Sequence, residues 1–314
     1  MTINEHLMQF CGKPVVDFDT HKKIMDPQGE AIRISLGYSE YEDDGLYWED
    51  KLDRLLEDPL VEHLESLVIG PWEDVGSQDT EFIVELLVKY KDKLSGLRQL
   101  FFGDVIMEES ECSWLDHGDI NDLWTAFPKL THFAIRGAGG LTIGKDLGKC
   151  KDLRSFVLQC SGLPADVPSD LATKLPHLEH LEIWLGEENY GAEYTMDSID
   201  KLINGNYFPK LIYLGLKNAE KADEIAELVA ISPVVSKLRV LDLSMGTMTD
   251  AGGEALLACP HLKKLEYLDL HHHYLSDDMM KKFRSLGIKV NLDEKQEGDR
   301  EEDGTVWRFI AVSE

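Results

Sequence analysis

Three consecutive histidines stand in the stretch LDLHHHYLSDD, Leu268 to Asp278, just after Asp269. Asp269 and His271 are separated by one residue, so on a strand both side chains project from the same face. With Asp242 on a neighbouring strand about 4.8 Å away, they form a candidate carboxylate and imidazole set for zinc, iron or manganese. A second candidate places His180 and Glu182 beside Tyr213, groups suited to acid–base chemistry. For each set the alternative is recognition of a protein partner by an exposed sheet face, and the spacing favours that alternative. Nucleophilic catalysis has no support, since no GxSxG turn is present and no cysteine has a histidine at motif spacing. In RGAGGLTIGKDLGK (136–149), Asp146 follows Lys145 where a phosphate loop needs Ser or Thr for magnesium. Gly137, Gly139 and Gly140 instead suit a tight turn. No cofactor is called for.

The elements that would position these groups recur along the chain. An apolar triplet, with Leu, a second apolar residue three on and a third two further, occurs eight times. The triplets are Leu64, Leu67, Ile69; Leu97, Leu100, Phe102; Leu130, Phe133, Ile135; Leu153, Phe156, Leu158; Leu178, Leu181, Ile183; Leu211, Leu214, Leu216; Leu238, Leu241, Leu243; and Leu265, Leu268, Leu270. A degenerate ninth follows at Ile288, Val290 and Leu292. The alternation within each triplet is that of a short strand with one buried face. Between the triplets lie helix signals: DTEFIVELLVKYKDKL (79–94) behind a cap at Asp79 or Thr80, DAGGEALLACPHL behind Asp250, and SDDMMKKF behind Ser276.

A strand and a helix per period resembles a leucine-rich repeat, and the last two full turns resemble its long, ribonuclease-inhibitor type. First leucines are spaced 33, 33, 23, 25, 33, 27 and 27 residues apart, so the 33-residue turns carry insertions. Two of these are acidic, EESEC (108–112) and GEENYGAEY (186–194), and would suit a basic partner. The expected fold is α/β, a curved solenoid of about eight to nine turns with a parallel sheet on its concave face and helices on its convex face. Residues 1–60 are expected to cap it, 61–292 to form the solenoid, and 293–314 to form an acidic linker and a strand-like tail. That tail either folds back as a cap or serves as an arm for a partner.

Fifty-nine acidic against 32 basic residues give a net charge of −27, which repels phosphate backbones and anionic lipid. Nucleic acid and membrane are therefore excluded as expected partners, while oligomeric state is not legible. Cys11, Cys112, Cys150, Cys160 and Cys259 show neither a disulfide framework nor a metal knuckle and read as reduced thiols. With no secretory or membrane-spanning segment visible, a cytoplasmic location is expected.

Beyond the repeats, FCGKPVVDFD, SWL after the acidic loop, LEIWLGEENYG, LDLHHH and the closing FIAVSE are similar to a family of bacterial cytoplasmic leucine-rich repeat proteins. The resemblance spans nearly the whole chain. It implies a family without an assigned biochemical activity, whose genes neighbour those for radical-SAM and ATP-grasp-like proteins. It therefore implies a role beside a modification or biosynthetic pathway and no reaction of its own.

The triplet register also maps the opposite, exposed face of each strand. Early turns offer a neutral, partly apolar strip. Later turns bring together His180, Glu182, Trp184, Tyr213, Lys217, Asp242, Tyr267, Asp269 and His271. Trp184, Tyr213 and Tyr267 are expected to anchor a protein partner, with the carboxylates adding complementarity. The expected function is thus a non-catalytic interaction module, with a metal-dependent enzyme or metal-binding protein using Asp242, Asp269 and His271 as the alternative. The register divides the histidines: His271 faces the strip, His272 sits at the turn edge, and His273 takes an inward slot that hydrogen-bonds turn backbone.

Overall fold

The computed structural model describes residues 3–172, 174–204 and 206–313. They divide into two compact units, 3–158 and 159–313.

The first unit is built on β1 (Gln9–Phe10), β2 (Lys13–Asp17), β3 (Ala31–Ile34), β4 (Ser66–Ile69), β5 (Gln99–Phe102), β6 (His132–Arg136) and β7 (Ser155–Gln159), which ends at the boundary. β2 to β6 pair in parallel, each with the next, and only β1 is antiparallel to β2. The sheet therefore starts within residues 1–60, the segment expected to cap the solenoid. Leu67, Leu100 and Phe133 stand opposite one another on β4, β5 and β6, as the triplets require. All three are essentially fully buried, each contributing about 1.5–3 kcal/mol to burial.

Helices cover the back of these strands: α1 (Tyr38–Glu42), α2 (Trp48–Leu56), α3 (Glu81–Lys89) and α4 (Asn121–Ala126). α3 is shorter than 79–94. Asp79 accepts the Glu81 N–H at 3.0 Å, while the Thr80 hydroxyl is turned to His117 instead of capping the helix. Between β6 and β7 the expected helix is replaced by a 3-10 segment, Lys145–Lys149. The glycines ahead of it explain the change: Gly137 has φ +95°, and a side chain at Gly139 would collide with the Asp116 carboxylate.

The N-terminal residues lie across the exposed face of this sheet. Ala31, Val68, Phe101 and Ala134 form an apolar cluster against which Leu7, Phe10, Val15 and Val157 pack, with Phe10 edge-on to Phe101 at 5.7 Å. The Leu7 N–H donates to the Asp104 carboxylate, and Met107 N–H to the Ile3 carbonyl. Asp104, fully buried, also receives Arg33 Nη1 at 2.8 Å, with Arg136 Nη1 at 3.5 Å and His6 at 3.6 Å. Hydrogen bonds to Asp104 and Glu109 raise the His6 pKa to about 9 against the cost of burial. The neutral strip read from the sequence is thus closed by its own chain.

The second unit carries β8 (His180–Gly186), β9 (Tyr213–Ala219), β10 (Val240–Asp242), β11 (Tyr267–Asp269) and β12 (Lys289–Asn291), all parallel. They alternate with α5 (Val167–Ala172), α6 (Met196–Asn204), α7 (Ala222–Ile231), α8 (Asp250–Ala258) and α9 (Asp277–Arg284). Thr249 and Ser276 cap α8 and α9 through their hydroxyl oxygens. One strand and one helix per period, with leucines stacked inward, is a leucine-rich repeat solenoid.

In four successive turns the residue two beyond the last buried position is left-handed: Asn218, Met245, His272 and Glu294, with φ of 53°, 69°, 55° and 58°. None is glycine, so each turn holds backbone strain on the order of 1 kcal/mol. After a short hairpin of β13 (Asp299–Arg300) and β14 (Val306–Trp307), the tail folds back. Ile310, Ala311 and Val312 are buried, with Ala311 N–H donating to Met245 carbonyl and Asn218 exchanging two bonds with Val312 at 2.6 and 3.0 Å. Trp307 and Phe309 point outward, both more than half exposed.

Candidate functional site

The sheet face of the second unit gathers all nine residues singled out from the sequence. Pairing puts Glu182, Gly215, Asp242, Asp269 and Asn291 in one row across β8 to β12. Before it runs His180, Tyr213, Val240, Tyr267 and Lys289. Lys217 and His271 stand two residues beyond the central row.

Gly215 sets the centre of the arrangement. A Cβ there would lie 3.1 Å from the Tyr213 ring and 3.2 Å from its hydroxyl, so a side chain at this position would crowd the phenol that lies over the strand. His180 stacks on the ring at 3.9 Å, nearly parallel. The Tyr213 hydroxyl reaches Asp242 Oδ2 at 2.8 Å and Glu182 Oε2 at 3.2 Å. It has one proton to give, and the shorter contact takes it. Burial, then the two carboxylates, push this phenol far above its ordinary pKa, so it stays protonated.

Lys217 supplies the counter-charge, its Nζ 3.2 Å from Asp242 and 3.8 Å from Glu182. Burial works against its charge, and the two carboxylates outweigh it, so the pKa lies above the usual lysine value. Ser244 donates its N–H and hydroxyl to Asp242 Oδ1. Trp184 donates Nε1–H to Glu182 Oε1 at 2.9 Å.

Asp269 forms the second node. It accepts the His271 N–H at 3.0 Å and Nδ1 at 2.8 Å, with Tyr267 hydroxyl at 3.0 Å and Asn291 amide at 3.3 Å. Burial alone would raise its pKa, but the His271 bonds bring it down to about 2. The same bond raises the His271 pKa against its burial. Lys289 Nζ lies 5.0 Å over the Tyr267 ring.

Two expectations need correction. Trp184 does not protrude as an anchor: it is 5% exposed, its indole bound to Glu182, and it walls the site. Asp242, Asp269 and His271 do not converge on a metal position. Their donor atoms are turned to Tyr213, Lys217 and Ser244 or to one another, and no group of three His, Cys, Asp or Glu among the described residues could hold a metal ion.

The other two histidines are structural. His273, 1% exposed, accepts the Leu275 N–H at Nδ1, so its proton is on Nε2, which donates to the Leu292 carbonyl at 3.2 Å. His272 is a buried, left-handed turn residue near the Gly246 carbonyl. Sequence reasoning missed the buried charges of the first unit. Arg33, Asp104 and the half-buried His6 are spread over about a hundred residues, so no local spacing brings them together.

Among solved structures, a protein from Bacteroides fragilis determined by a structural genomics consortium is 30% identical, with a TM-score of 0.79 over 90% of this chain and 76% of that one. An internalin from Listeria monocytogenes is 14% identical over 85% of this chain and 73% of its own, with a TM-score of 0.36, too slight a likeness to carry weight. No protein-family model and no curated protein matches the chain.

Proposed function

Because the chain belongs to the same family as the Bacteroides fragilis protein, and presents a leucine-rich repeat face of ordered polar and aromatic groups, we propose that it is a non-catalytic protein-interaction module. The partner docks on the face of β8 to β12. The observation that carries this reading is the contrast between the two faces. In the first unit the apolar cluster is packed under Leu7 and Phe10, whereas in the second His180, Tyr213, Tyr267, Lys217 and His271 remain partly exposed.

A network whose hydrogen bonds are already made presents a rigid surface, and rigidity lowers the ordering cost of docking. Tyr267 and the His180–Tyr213 stack are the aromatic contacts, and Glu182, Asp242 and Asp269 with their cations set the charge pattern a partner must match. The resemblance noted in the sequence is what favours an accessory role beside a modification or biosynthetic pathway. Five cysteines outside any disulfide and the excess of acidic residues support a cytoplasmic setting.

The test is site-specific photocrosslinking in the native cytosol. A crosslinker at 267 or 289 is expected to trap one common protein, at least about tenfold less of it when His180→Ala is added, as for an interface hot spot. A crosslinker at Glu227 on α7 is the control. Equal trapping from 227, or yield indifferent to His180→Ala, overturns the placement.

A further inference from the structure

A second site, in the first unit and apart from the proposed docking face, is a cavity of about 440 Å³ formed by α1, the turn after β4 and the acidic loop near 108. Its size lies in the range of small-molecule pockets. Tyr38, Tyr41 and Trp72 supply aromatic surface. Tyr38 is 82% exposed, Tyr41 is partly exposed and Trp72 is buried behind them.

The remaining polar lining is of one sign. Glu42, Glu73, Asp74, Glu108 and Glu109 line the cavity, and no lysine, arginine or histidine does. Two of the five are already engaged: Glu73 accepts the first N–H of α2 from Trp48 at 3.1 Å, and Glu109 pairs with His6 at 3.1 Å. Glu42, Asp74 and Glu108 make no ion pair among the described residues. Their charge bears directly on the aromatic wall: Asp74 first, then burial, Tyr47, Glu42 and Glu73 hold the Tyr41 phenol above its ordinary pKa.

Aromatic faces and unpaired carboxylates around one cavity share a single preferred ligand. A hydrated metal ion would use the carboxylates and ignore the rings, and an apolar ligand would leave the carboxylates dehydrated without a partner. An organic ammonium uses both, because its charge meets the carboxylates and its C–H and N–H edges meet the ring faces. We propose that this cavity binds a primary ammonium group, presented either by a lysine side chain of a protein or by a free polyamine. The site also gives the acidic insertion at 108–112 a role as one wall.

The proposal is tested by calorimetry on the full chain with three probes: spermidine, N-acetyl-lysine methylamide and magnesium chloride. At least one ammonium probe is expected to bind saturably and to resist an equal concentration of magnesium. Glu42→Gln with Asp74→Asn, whose carboxylates make no ion pair among the described residues, and separately Tyr41→Leu, which keeps apolar bulk without the ring, are each expected to weaken binding about tenfold. Stronger binding of the lysine amide identifies a protein side chain as the source, and stronger binding of spermidine a polyamine. Absence of saturable binding by both ammonium probes overturns the proposal, as does binding intact in Tyr41→Leu or equal competition by magnesium.

Discussion

Replacing Lys217 with Met tests whether the network on the second unit is held by charge or by packing. The lysine is 13% exposed at its side chain and lies between Glu182, also 13% exposed, and Asp242, 7% exposed. Methionine keeps most of the stem and removes only the ammonium. Two carboxylates then remain across the bare Gly215 with one tyrosine proton between them. Leaving a buried charge unpaired costs about 3–5 kcal/mol, and the looser 3.8 Å contact to Glu182 argues for the lower end, about 3 kcal/mol. Urea unfolding at pH 7, followed by circular dichroism, measures the loss. Adding Asp242→Asn removes the charge left uncompensated, so the double variant is expected to recover about 2 kcal/mol relative to the sum of the singles. A loss below about 0.5 kcal/mol, the size of a surface pair, or simple additivity, would refute the view that this is a closed charge unit.

Two further outcomes follow from other buried groups. His117 is fully buried, accepting from the Thr80 hydroxyl at Nδ1 and donating Nε2–H to the Arg136 carbonyl at 2.6 Å, and burial lowers its pKa to about 4. The unfolded chain takes up this proton near pH 6.5 and the fold does not, so stability is lost as pH falls from about 6.5 to about 4, by up to roughly 3 kcal/mol. Urea midpoints across that range should show the slope, and His117→Gln should flatten it. Asn218→Ala removes both side-chain bonds to Val312 and is expected to cost about 2 kcal/mol and to open the tail to carboxypeptidase, with wild-type digestion rates counting against the docking.

Much of the fold was legible because leucine spacing reports strand register directly. The position two residues after the first leucine of each repeat, from Ser66 to Tyr267, is also where β4 to β11 each begin. Side-chain depth was not legible. Trp184 occupies the expected row, yet nothing in its spacing shows that its indole turns to Glu182 and sinks. The role of His273 was readable because a fixed inward slot demands a backbone partner, whereas His272 became intelligible only from its left-handed backbone. The covering of the first sheet was invisible because Leu7 and Phe10 meet their partners across long stretches of chain. Periodicity records neighbours along an element and is silent about a terminus that returns.

That returning terminus has a consequence for the order of synthesis. The segment of Leu7 and Phe10 leaves the ribosome well before its surroundings are complete, because the cluster that receives it includes Ala134, and Val157 packs beside it. At about 5–20 residues per second, some 150 residues take roughly 8 to 30 s to make. Until that interval ends the segment has only part of its seat, Ala31, Val68 and Phe101. A nascent chain of this protein therefore passes through a stage in which this segment is available to a chaperone, and the stage ends when β6 and β7 emerge.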